Sequence, residues 1–206
     1  MSRRLELLGL AAAAVLVVTA VSAASASGFT AQSTPTWLSG AQMTQNVLTV
    51  NAGTVKCSVA TFKSQAAIST LTTTTVAVRP EYGTCIAFGL EANVINSGCS
   101  YVLTAAGAFS VGCMTGAAIV VSVPEAGCQI KFSAAGNANR SSVSYASLGS
   151  GSTEEVVVTA TVGGITYVSS GGTCGTAGSN GTYSGTLKLA GFESSSFANQ
   201  HGFSVP

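Results

Sequence analysis

The residues able to do chemistry in this chain are six cysteines, one histidine and a few glutamates. The cysteines stand at Cys57, Cys85, Cys99, Cys113, Cys128 and Cys174, and the middle four recur about every 14 residues. Three of them follow a glycine, as Gly98-Cys99, Gly112-Cys113 and Gly127-Cys128. No Cys-x-x-Cys occurs and His201 is the sole histidine, so the short ligand spacing of a zinc site is missing. An even set of cysteines downstream of an export leader reads instead as a disulfide framework.

Nucleophilic hydrolysis needs a base beside the nucleophile. His201 lies five residues from the C-terminus in an aperiodic tail and reads as solvated. No Gly-x-Ser-x-Gly elbow is present. A glycosidase would need two carboxylates converging across a cleft. Glu81, Glu91, Glu125, Glu154, Glu155 and Glu193 could supply a pair, but most fall beside expected turns or strand ends. Aspartate is absent, so no oxygen cluster for calcium forms, and no cofactor motif is visible.

Export is read from the N-terminus. Arg3 and Arg4 precede an apolar run over residues 7–21, and Ala24-Ser25-Ala26 offers a cleavage site. The run is short and alanine-rich for a span of ~20 residues. Residues 1–26 are therefore expected to be a signal peptide, with residues 27–206 a single all-β domain. Beyond the leader, Lys56, Lys63, Arg79, Lys131, Arg140 and Lys188 balance the six glutamates. A chain so sparse in charge has no basic patch for nucleic acid and no polybasic segment for anionic lipid. A neutral surface of this kind favours self-association.

The cysteines must be positioned by strands. Residues 99–113 are symmetric about Ala106, a register that sets Cys99 opposite Cys113, Tyr101 opposite Val111 and Leu103 opposite Phe109. Residues 117–123 pair with 127–133 across Pro124-Glu125-Ala126, where proline suits a turn. Val55, Cys57 and Val59 alternate with Lys56 and Ser58. The threonine-rich run 71–78 is a strand that Arg79-Pro80 stops, and residues 81–84 then turn the chain. Gly163-Gly164 predicts a hairpin aligning Val162 with Ile165 and Ala160 with Tyr167. Residues 27–40 read as a flexible arm, with Trp37 plugging a core edge, and residues 193–206 as a tail. Asn139-Arg140-Ser141 and Asn180-Gly181-Thr182 are glycosylation sequons.

Short strands between glycine-rich turns, with no helical periodicity, predict a disulfide-stabilised antiparallel β-sandwich or jelly-roll-like double sheet. A solenoid built on the 14-residue spacing fits less well, because the flanking strands do not keep that period. Chain order adds Cys57–Cys85 and Cys128–Cys174 to the Cys99–Cys113 pair. The rival pairing, Cys85–Cys99 with Cys113–Cys128, would bridge opposite sheets. The leader, the Gly-Cys strands and the late Ile165-Thr166-Tyr167 and Cys174 segment resemble small secreted bacterial proteins. In fold class alone the chain is similar to enediyne-carrier apoproteins and fimbrial-type β domains, and no residue role is carried across. The expected function is a secreted or cell-surface module with a binding or structural role. The alternatives are a hydrolase using a glutamate pair and a self-assembling or membrane-inserting β protein.

Overall fold

A computed structural model describes residues 28–138, 140–172 and 174–206. The expected signal peptide, residues 1–26, and Asn139 of the first sequon lie outside them. The chain begins with β1 (Phe29–Ala31), β2 (Trp37–Gln42), β3 (Asn46–Val50), β4 (Gly53–Lys63), β5 (Thr72–Thr73) and β6 (Thr75–Ala87). It continues through β7 (Leu90–Asn96), β8 (Cys99–Thr104), β9 (Ala108–Cys113), β10 (Ile119–Val123) and β11 (Cys128–Phe132). It ends with β12 (Arg140–Ser141), β13 (Val143–Leu148), β14 (Glu155–Ser170), β15 (Gly178–Phe192), β16 (Gln200–His201) and β17 (Phe203–Ser204). No helix among the described residues is long and apolar enough to cross a membrane.

These strands form a disulfide-stabilised, antiparallel β-sandwich. One layer holds the long strands β4, β6, β14 and β15, of 11, 13, 16 and 15 residues. β4 pairs with β6 and β14 with β15, while β2 and β3 each join β4 to β15. The second layer is in two pieces. β7, β10 and β11 bridge β6 to β14 at one end. β8, β9, β12 and β13 bridge the same two strands at the other. The first route closes by pairing, whereas the second passes from β12 to β13 along the chain itself, and β17, β1 and β5 form a separate three-stranded sheet. Alternation then fills the interior: Cys99, Tyr101 and Leu103 point inward from β8, and Cys128, Ile130 and Phe132 from β11.

All three disulfides join residues that the strands bring together. Cys57–Cys85 and Cys99–Cys113 are directly opposed pairs, with Cα atoms 4.1 and 4.0 Å apart. Such short separations belong to the narrow, non-hydrogen-bonded pairs of an antiparallel ladder. Cys128–Cys174 ties the start of β11 to the loop after β14. In the chain-entropy view each closure contributes about 3 kcal/mol or somewhat more. Tyr101 faces Val111 and Leu103 faces Phe109, as the register about Ala106 predicts, and residues 119–123 pair with 128–132 across the Pro124 turn.

Four local expectations are corrected. Gly163-Gly164 is no hairpin: β14 runs straight through it, and Val162 pairs with Tyr183 while Ile165 pairs with Gly181. Gly164 sits at φ +70° in a register shift, so the dipeptide makes a bulge, which asks for the same left-handed glycine as a tight turn. Pro80 does not stop its strand. It lies between Val78, the last residue of β6 paired to β8, and Cys85, the first paired to β7. Its absent N–H therefore breaks no ladder on that edge. The supposed N-terminal arm forms β1 and β2, with Phe29 and Leu38 fully buried. The C-terminal tail forms β16 and β17, and Phe203 stacks on Phe29 with ring centroids 5.9 Å apart. Aperiodic segments can still supply single buried anchors. Periodicity measures faces, and one aromatic makes no face.

Candidate functional site

The interior of the double sheet holds an apolar cavity of about 60 Å³. Both layers line it: Leu48, Val55, Cys57, Tyr82, Ile165 and Tyr183 from one, Val94, Tyr101, Phe109, Val121 and Phe132 from the other. Asn46 is the sole amide in the lining, and no charged side chain reaches it.

Tyr82 is aimed there by a local distortion. Along β6 the inward side passes from Cys85 to Tyr82, skipping Thr84 and Gly83. On β4 it passes from Cys57 to Ala60, leaving Val59 exposed where simple alternation would bury it. The cause lies at Thr84, whose φ of 51° is left-handed and strained for a β-branched residue. The Ser58 hydroxyl donates to the Thr84 carbonyl at 3.2 Å, holding the facing strand at that point.

The phenols form a chain. Tyr82 and Tyr101 hydroxyls lie 2.5 Å apart, Tyr183 also interacts with Tyr82, and the Tyr183 hydroxyl donates to Asn46 Oδ1. Asn46 Nδ2 in turn donates to Gln42 Oε1 at 2.5 Å. Burial pushes the Tyr101 phenol up to about 12, and raises Tyr82 and Tyr183 as well, because a phenolate would lose its hydration there. The ring of Tyr101 packs on Phe109 at 5.0 Å and on Tyr183 at 5.8 Å.

Two further asparagines hold the frame around the cavity, where β6 and β14 change partners. Asn96 Nδ2 donates to the Pro80 and Cys99 carbonyls at 3.0 and 2.8 Å, and its Oδ1 accepts from the Gly98 and Cys99 N–H groups. Arg79 Nη2 donates to the Asn96 carbonyl at 2.7 Å. On the other side Asn137 behaves as a surrogate strand. Its Oδ1 accepts from Thr166 N–H at 2.8 Å and its Nδ2 donates to the Thr166 carbonyl at 2.9 Å. Its own carbonyl accepts from Val111 N–H, joining β14 to β9.

The residues singled out for chemistry are dispersed. Glu81 faces Lys63 at 3.8 Å and Glu155 faces Lys188 at 3.0 Å. Glu193 accepts from Asn199, and Glu91 and Glu125 are exposed. None of these glutamates lines the cavity. Among the described residues no group of three or more His, Cys, Asp or Glu could hold a metal. His201 is not solvated: it is 6% exposed, with Nε2 3.4 Å from Thr36 Oγ1. Its pairing with Gly191 across β16 and β15 carries it inside. Asn180 of the second sequon donates to Asn51 at 2.7 Å.

One outward row departs from the polar exterior. Ile95, Val120, Lys131 and Val168 stand side by side across β7, β10, β11 and β14, and Ile95 and Val168 are each 58% exposed. Met114, 67% exposed, flanks the Lys131–Val168 end. No family model matches the chain, and no curated protein or solved structure is similar to it.

Proposed function

We propose that this chain is an exported β-sandwich module, secreted or held at the cell surface, with a binding or structural role. The observation that carries the proposal is the pairing of all six cysteines around an uncharged interior, with the ionic side chains left outside. Stable disulfides belong to oxidising compartments, and the leader-like residues 1–26 supply a route there. A closed, stapled double sheet with an internal cavity suits recognition better than turnover, which needs converging acid and base groups.

Expressing the full chain in an exporting bacterial host tests this. The expected product starts at Ser27 and takes no thiol label when alkylated without reduction. Full-length cytoplasmic protein with labelled cysteines overturns the export reading. A second reading, self-association, is favoured by the outward row of Ile95, Val120 and Val168. Sedimentation at rising concentration should then show assembly that Val168→Glu weakens, and a monomer throughout discards it.

A further inference from the structure

We infer that the cavity between the sheets is a binding site for a compact, uncharged, apolar molecule. The inference deepens the binding role proposed above and rests on that reading. Three observations carry it.

The first is size. About 60 Å³ exceeds the ~10–15 Å³ a single water needs and falls short of the ~150 Å³ that holds benzene. A molecule of a few heavy atoms, or the tip of an aliphatic chain, fits that range.

The second is chemistry. A buried water needs two to four polar partners, and the few polar groups in the lining are already bonded to one another or to Gln42. Tyr82 and Tyr101 are engaged with each other, Tyr183 gives its proton to Asn46, and Asn46 Nδ2 gives one of its two protons to Gln42. An ion is excluded by the same count, since no charged group stands by to neutralise it. What remains is methyl and ring surface, with Val55, Val94, Val121 and Ile165 on opposing sides.

The third is how the space persists. Cores collapse onto voids when their walls can move. Here Cys57 is both lining residue and half of the Cys57–Cys85 staple, and Tyr101 lies two residues from Cys99 in the second staple. Strands locked at these points cannot close in by sliding past each other. The tyrosine chain sets the distance between the layers across the same space.

Xenon is the probe, because it is apolar, uncharged and small. Titrating xenon into the oxidised mature protein should shift the methyl resonances of Val94, Val121 and Ile165 in a saturable way. The methyls of surface residues such as Val59 and Leu71 should respond weakly and linearly. Val121→Ile adds a methylene to the lining and should weaken xenon binding about tenfold or more. Val94→Ile, on a half-buried strand position, does the same should Val121→Ile fail to fold. Lining shifts that match the surface ones, or that persist undiminished in a folded filling variant, overturn the site. That failure is distinct from failure of export: thiol labelling of the cellular product decides the latter whatever xenon does.

Discussion

β6 and β14 each exchange partners midway along their length, and an asparagine bridges each exchange, but the two asparagines carry different loads. At the β6 fork the strand presents Pro80, which has a carbonyl and no N–H. Asn96 supplies one donor to it and spends its acceptor on the turn into β8. At the β14 fork Thr166 presents both groups, and Asn137 answers both with one side-chain amide. Asn137 is 1% exposed, whereas Asn96 is half-buried and lies beside the Cys99–Cys113 staple. A proline thus lightens the polar demand of a split sheet, and a covalent bond nearby shares the rest. Where neither is present, one buried side chain must stand in for a strand.

The contrast is broken most directly by Asn137→Ala. It orphans the Thr166 N–H and carbonyl and the Ser133 carbonyl, all three held by one side chain that is itself buried. At ~1–3 kcal/mol per stranded group, the loss should reach about 3 kcal/mol or more in denaturant unfolding. A loss near zero would mean that water already serves this fork.

Alkali should separate the forks next. Tyr82 and Tyr101 stand on β6 and β8, the strands that part at the first fork. Unfolded tyrosines ionise near 10, while burial holds folded Tyr101 neutral to about 12. Stability is therefore intact below ~10 and falls as the pH rises through about 12. The two-unit gap is worth roughly 2–3 kcal/mol for Tyr101. Hydrogen exchange along the pH series should show β6 and β8 loosening before the Asn137 contacts with Thr166. Simultaneous loss would erase the distinction.

Asn96→Ala should cost less, about 1–2 kcal/mol, because the Cys99–Cys113 staple still holds the strand ends that it joins. Its cost should rise in a Cys99→Ala/Cys113→Ala background, by a coupling of ~0.5 kcal/mol or more. Additive losses would show that the staple does not share the load. The smallest effect belongs to Gly164→Ala, near the second fork. A side chain there must adopt φ +70° with Arg140 Nη1 2.9 Å from the new Cβ, so about 1 kcal/mol is expected by thermal melting.

These forks are what the sequence conceals. The Cys99–Cys113 hairpin is readable because its spacing is symmetric about Ala106 and its neighbours alternate; one register satisfies every pair at once. The turn at Pro124-Glu125-Ala126 is readable from proline chemistry. Gly163-Gly164 misleads because a bulge and a hairpin demand the same backbone freedom, and only the partner strand distinguishes them. The turn between β6 and β7 hides for the converse reason. Phe88 takes φ 57° with Gly89 beside it, without the asparagine or aspartate that usually announces such a turn. Asn96 and Asn137 read as ordinary loop residues, since nothing local says which distant carbonyl an amide will meet. Tyr82 reads as part of a turn because the left-handed Thr84 that redirects it leaves no mark in the residue pattern.

The pairing of β1 with β17 has a mechanical consequence. Thr30 opposes Ser204 and Ala31 opposes Phe203, so the chain departs from both strands in the same direction. Tension applied through residues 28 and 206 would peel this contact open like a zipper, one rung at a time, rather than shear its rungs together. Beyond that first yield, the spans 57–85, 99–113 and 128–174 are shortened by their staples and cannot pay out. Under load the molecule would give early and then stop short, a compliant clasp on a limited tether.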